Sequence, residues 1–167
     1  RNAELAVINA VQQGMAGSLD FQGIVDLVGD KLRAVLKTGD IGIRWRDPAT
    51  DLIHHLYEYE HGRRLRLPHA PLRESPMFSR VLDTREPIVY RNRAEAHALG
   101  HRVIAGTDES HSAAIVPIFG SAGVVGIIIV EDYEREGAFG HAEVRLLSTI
   151  ASPAIDVEKL VSVDNQS

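Results

Sequence analysis

Four consecutive residues, Asp108-Glu109-Ser110-His111, form the densest grouping of catalytic residue types in the sequence. An acid and an imidazole could orient the Ser110 hydroxyl as a nucleophile, but near neighbours in one loop seldom converge on a common point. There is no Gly-x-Ser-x-Gly elbow and no phosphate-cradling loop. The chain therefore reads as non-catalytic, and the tetrad as a polar rim. His97 and His101 stand four apart, the helical spacing of a chelating pair. Gly100 ends that helix first, which leaves two solvated histidines and no metal site. Tyr57 and Tyr59 offer flat apolar faces with polar tips, and Arg44 and Arg91 could meet an anionic group. The equal alternative is that the tyrosines cover sheet surface and the arginines are solvated.

These residues must be held by a sheet. Two apolar runs, Ala113 to Phe119 and Val124 to Val130, flank the turn signal Gly120-Ser121-Ala122-Gly123. Both are short and rich in Val and Ile, as strands buried on both faces are. Glycine at each end of the turn permits a tight reversal, so the pair reads as an antiparallel hairpin. A charged loop, Glu131 to Glu136, leads to Phe139 and a last helix from about His141 to Leu160. Leu147, Ile150, Ala154, Val157 and Val161 alternate at three and four, a short coiled-coil seam. Pro153 within it predicts a kink near Thr149 to Pro153 or an early end.

Upstream, Leu5, Ile8, Val11 and Met15 share a helical stripe within Glu4 to Met15. Asp20 can cap a second helix, in which Phe21, Ile24, Val25, Val28, Leu32, Val35 and Leu36 form a face that covers a sheet. Ile41, Ile43 and Trp45 alternate as a strand, Asp47 to Thr50 turns, and Leu52 to Glu60 returns. Strict alternation puts His55, Tyr57 and Tyr59 on one face, and His54, Leu56 and Glu58 on the other. A third strand spans Arg63 to Leu67. Ser75-Pro76 starts a helix through Thr84, Pro87 to Tyr90 is an edge strand, and Asn92 caps a helix through Leu99. A polar loop, His101 to His111, enters the hairpin.

The 167 residues match one domain with a real core. A net charge of −5 argues against nucleic acid as a partner, and no apolar run is long enough to span a membrane. Residues 41–105 nevertheless carry eleven arginines against eight acids. Solvated loop surface is the preferred reading, and a basic pocket wall for an anion the sharper one. The absence of cysteine excludes disulfides, thiolate metal sites and a cysteine nucleophile.

The string from Val116 to Ala151, VPIFGSAGVVGIIIVEDYEREGAFGHAEVRLLSTIA, resembles the second half of a GAF domain. Pro117, Gly126, Phe139 and Leu146-Leu147 match that family's order and spacing, and a weaker likeness extends over nearly the whole chain. The wording is most similar to tandem GAF repeats of bacterial signalling proteins, ahead of cyclase or histidine-kinase output domains. The resemblance implies an α+β, three-layer α/β/α fold. It has a mainly antiparallel six-stranded sheet with N-terminal and C-terminal helices on one face. All of residues 1–167 would form this single domain, with 1–15 and 150–167 as linker-like terminal helices. In that family the region between the third strand and the hairpin walls a ligand pocket, here residues 68–111. Arg44, Tyr57, Tyr59, Arg91, Asp108, Ser110 and His111 then become the ligand-binding candidates.

The resemblance further implies a non-catalytic regulatory module of a cytoplasmic signalling protein. It would bind an unknown small molecule, pair as a homodimer through its terminal helices and relay to an output domain of the same chain. A ligand-free dimerisation or spacer module is the alternative. No cofactor is identified. A bilin linked through cysteine and the cysteine chemistry of GAF-like methionine sulfoxide reductases are both excluded. Any of eight histidines could ligate a haem, as happens in some GAF sensors. Of the family's cyclic-nucleotide motif, Phe139 and Glu143 fit, but Val144 and Glu131-Asp132 depart from it.

Overall fold

The computed structural model describes residues 21–36, 40–101, 103, 107–120 and 123–151. The expected first helix, the Asp20 cap, the Ser121-Ala122 tip of the hairpin and the chain beyond Ala151 lie outside the described residues. Helix α1 spans Phe21–Leu36 and buries Ile24, Val25, Val28 and Leu32, the face expected from their spacing. Strand β1 (Ile41–Asp47) and β2 (Leu52–Glu60) follow, then two two-residue strands, β3 (Arg63–Arg64) and β4 (Ala70–Pro71). Helix α2 (Pro76–Thr84), strand β5 (Ile88–Tyr90) and helix α3 (Arg93–Ala98) lead to β6 (Ser112–Gly120), β7 (Gly123–Asp132) and helix α4 (His141–Ile150). Both short helices start as their sequences predict. The Ser75 side chain accepts from Phe78 N at 3.4 Å, and Asn92 from Glu95 N at 2.9 Å.

The strands form one seven-stranded sheet in the order β3-β2-β1-β7-β6-β5, with β4 paired to β2. The β6–β7 hairpin is antiparallel from Ser112↔Asp132 to Gly120↔Gly123, and every other pairing is antiparallel too. Seven strands rather than six arise because Ala70 and Pro71 dock on β2. Two residues beside prolines carry no period from which a strand could be read. Only Arg63–Arg64 of the expected third strand pairs.

Side chains leave the sheet in two layers. Ala114, Val116, Ile118, Ile128 and Val130 meet α1 and α4 in one core, whereas Ala113, Ile115, Ile127 and Ile129 meet α2 and its surroundings in the other. This is the three-layer α+β arrangement, with α1 and α4 on the same face. Leu147 and Ile150 are buried in the first core, so these two seam positions pack against their own domain. The remaining seam residues lie outside the described residues.

Gly29 shows how tightly α1 sits. An added Cβ there would lie 2.4 Å from the Tyr57 ring, which is fully buried and tied to Asp30 through its hydroxyl at 2.6 Å. Gly→Ala inside a helix ordinarily gains about 1 kcal/mol. Gly29→Ala is instead expected to lose about 2 kcal/mol through overpacking. Urea denaturation checks the sign, and a gain in stability would show that the ring can yield.

Candidate functional site

One interruption of the sheet organises the site. Ile43 pairs with Tyr57 but Arg44 with His55, so Leu56 is an extra residue on β2. Leu56 and Tyr57 consequently both pack into the helical core, while His55 returns to the side of Arg44. The expected grouping of His55 with Tyr57 and Tyr59 is thereby corrected: a bulge reverses the face of every residue beyond it. Two glycines make room for the ion pair at the centre. A Cβ on Gly42 would lie 2.7 Å from a Glu58 carboxylate oxygen, and one on Gly126 2.3 Å from the Arg44 carbonyl oxygen.

Arg44 Nε donates to Glu58 Oε1 at 2.7 Å, with the two side chains only 11% and 7% exposed. Burial opposes the charge on Arg44, but attraction to Glu58, the Glu58 hydrogen bond and then Glu131 outweigh it and raise its pKa. For Glu58, burial wins over Arg44 and the carboxyl titrates above its ordinary range. Glu131 is partly covered at the cavity wall. Desolvation pushes it up to about 7, against the attraction of Arg44 and with the help of Glu58. The Ser110 hydroxyl hydrogen-bonds Glu131 and also lies 2.5 Å from the buried Tyr90 hydroxyl. His55 is pushed down to about 4, first by burial and then by Arg44.

Arg44, Glu58, Glu131 and His55 face a cavity on the sheet side away from α1 and α4. An inner chamber of about 60 Å³ has Ile115, Ile127 and Ile129 as its apolar floor, with Arg44, Glu58, Glu60 and Glu131 along its wall. An outer chamber of about 410 Å³ lies against Ile53, His55 and residues 68–71. Arg44, Glu74, Ser75 and Val103 border both. The rim at Thr107 and Asp108 is anchored to the sheet, because Glu60 Oε1 accepts the Asp108 amide at 2.5 Å. Glu109 pairs with His97, and its carbonyl accepts from Arg93 at 2.9 Å. Among the described residues, Glu60, His61 and Asp108 bring three metal-ligand atoms within 4.8 Å of one another. His61 and Asp108 are solvent-exposed, and their mutual 3.2 Å contact accounts for the grouping.

The family profile described as GAF domain matches residues 18–155. The chain belongs to the GAF family. Solved structures agree on the fold. The GAF domain of an Acinetobacter phosphoenolpyruvate-protein phosphotransferase superimposes with a TM-score of 0.77 at 14% identity, covering 99% of this chain and 96% of that one. A free methionine-R-sulfoxide reductase from Neisseria meningitidis, solved with its substrate, gives 0.66 at 17% identity over 98% and 86%. The phycocyanobilin-bound GAF domain of a cyanobacterial phytochrome gives 0.69 at 16% identity over 97% and 94%. No curated protein is a significant match. GAF domains are in general non-catalytic sensory or regulatory modules, although the reductase shows that the fold also occurs in an enzyme. Without cysteine, this GAF domain holds no thioether-linked bilin. No described helix is long and apolar enough to cross a membrane.

Within this GAF domain the seven candidate residues do not converge. Arg44 and Asp108 line the inner chamber, and Ser110 reaches its wall through Glu131. Tyr57 lies on the opposite face, fully buried beneath α1. Tyr59 borders the chamber, yet its ring stacks against Tyr57 at 5.2 Å and lies under the Arg33 guanidinium at 3.6 Å. Arg91 is exposed and paired with Glu95 at 3.1 Å. His111 is half-buried, and its amide donates to the Asp132 carbonyl at 2.8 Å. The Asp108 to His111 tetrad thus splits among separate partners, as a catalytic triad would not. Phe139 is buried in the helical core, and the Glu143 carboxylate caps α4 by accepting from Gly140 N at 2.8 Å. The surviving pieces of the cyclic-nucleotide motif are structural here.

Sequence reasoning passed over Glu58, Glu60, Glu131 and Tyr133, all of which line the inner chamber. A signal was present. Glu58 and Glu60 stand two apart at the end of β2, and Glu131 continues the parity of Ile127 and Ile129 onto the same face. Most of the arginine excess among the described residues, by contrast, is surface. Arg63, Arg66, Arg73, Arg80 and Arg85 are exposed, and Arg46 and Arg64 pair with Asp51 and Asp26.

Proposed function

We propose that this GAF domain is a non-catalytic regulatory module that binds a small molecule between its sheet and residues 68–111. It acts inside a cytoplasmic signalling protein, with a cyclase or histidine kinase as the kind of output domain it controls. The observation that carries this reading is the pair of chambers around Arg44, bordered on one side by the sheet and on the other by Leu65, residues within 68–77, His101, Val103, Thr107 and Asp108. A buried ion pair facing a cavity is retained at a stability cost that a purely structural layer would avoid. Ser110 hydrogen-bonds Glu131, but its hydroxyl is buried against Tyr90 and it is not among the described residues that line either chamber, which is why the reading is binding and not turnover. Ligand entry orders the rim, and the ordering passes through the sheet to α1 and α4 and on to the terminal segments. Those segments pair two copies of the chain.

A thermal-shift screen of metabolites against the chain tests this. A ligand present at about 100 times its Kd adds about 2.7 kcal/mol, and so raises the melting temperature by roughly 5–10 °C in a domain of this size. If no compound stabilises the domain while sedimentation still shows a dimer, the module is a ligand-free spacer and the proposal is wrong.

A further inference from the structure

Resting on the ligand-binding reading above, we infer that the inner chamber takes a small organic cation, an amine or amidine on a short apolar body, and rejects anions. Three features of the chamber point there independently. Its floor of Ile115, Ile127 and Ile129 suits an apolar body. Its wall sets the carboxylates of Glu58, Glu60 and Glu131 against one guanidinium, and that guanidinium is already engaged with Glu58. An incoming carboxylate or phosphate would have to compete with Glu58 for Arg44 while facing Glu60 and Glu131. An ammonium head instead answers the carboxylate surplus, which in a partly desolvated wall is worth more than at the surface. The arginines that make residues 41–105 basic are elsewhere: among the described residues, Arg44 alone of that segment's arginines borders either chamber.

Binding of such a cation is linked to protons. Glu131 faces Arg44 from β1, Glu58 and Glu60 from β2, Tyr90 from β5 and Tyr133 from the end of β7. Its carboxyl is raised to about 7, first by desolvation. A bound cation favours the ionised form, so binding expels a proton below that pH. Affinity rises with pH by up to about tenfold between pH 6 and pH 8, where only the ionised carboxyl binds well. An anionic ligand gives the opposite slope.

Ligand-observed NMR titration of the chain with n-butylammonium, n-butanol and n-butyrate at pH 6 and pH 8 tests both points. The expected result is butylammonium binding at least tenfold tighter than butyrate and tightening with pH. Glu131→Gln should abolish the slope, and Glu60→Gln should weaken butylammonium at both pH values. Butyrate binding as well as butylammonium, or a slope of the other sign, overturns the cation assignment and leaves the ligand-binding reading standing. Absence of binding by all three also overturns it, and the metabolite screen then reports separately whether any ligand is taken.

Discussion

Gly126→Ala is expected to lower the stability of the domain by about 3 kcal/mol, the upper end of what overpacking a well-filled interior costs. In most strands the same change is favourable, because alanine gives up less backbone freedom than glycine on folding. Here the neighbour forbids it. Gly126 lies opposite Trp45 of β1 and Ile118 of β6, in the middle of the sheet. A Cβ would stand 2.3 Å from the Arg44 carbonyl oxygen and 3.4 Å from Trp45 Cα. Those are backbone atoms with no rotamer to swing aside, so β1 itself must retreat from β7. The ladder bonds on either side weaken, and Arg44 moves with its strand. Urea denaturation with circular dichroism measures the loss. A midpoint equal to or above that of the parent protein would show that the two strands are looser than this contact requires.

Glu58→Ala should cost a similar amount, about 3 kcal/mol, for an electrostatic reason. Arginine does not give up its proton in proteins, so removing Glu58 leaves a charge in a wall where Arg44 is 11% exposed. Part of the loss is recovered locally. Glu58 is one of the groups that raise the Glu131 carboxyl, so its removal lets Glu131 ionise more fully and partner Arg44, which keeps the loss at the lower end of the range for a broken buried pair. The double replacement Arg44→Met with Glu58→Leu should be more stable than Glu58→Ala alone, because no orphaned charge remains. A double-mutant cycle in urea reads the coupling directly. A single-mutant loss below about 1 kcal/mol would mean that Arg44 is solvated after all, since exposed pairs contribute no more than that.

Both predictions concern the same patch of sheet, where β2, β1 and β7 run side by side. The glycines at 42 and 126 leave the space, the bulge turns Arg44 and His55 to one side, and the acids of β2 and β7 supply the opposing charge. The cavity's electrical character is therefore a property of strand packing as much as of residue type. It is also why an arginine-rich segment encloses a chamber with more carboxylates than cations.

The sequence alone determined most of the described elements, β4 and the length of β3 excepted. Val and Ile in two short runs around a glycine turn read as a doubly buried hairpin, and Ser75, Asn92 and Gly100 bounded two short helices by local hydrogen bonding. Such signals act over a few residues, so they survive without knowledge of the rest. The family match followed from the same stretch. The lining of the chamber was legible only in part: Arg44, Tyr59 and Asp108 were named, but Tyr57 was given to the pocket. Tertiary structure decided that matter at Leu56. Alternation has a period of two, and a single extra residue in β2 reverses every face beyond it, sending Tyr57 under α1. The partner of Arg44 was likewise hidden, because Glu58 lies 14 residues away and is brought near only by the pairing of β1 with β2. Charges separated along the chain acquire a common field only when the sheet closes around them.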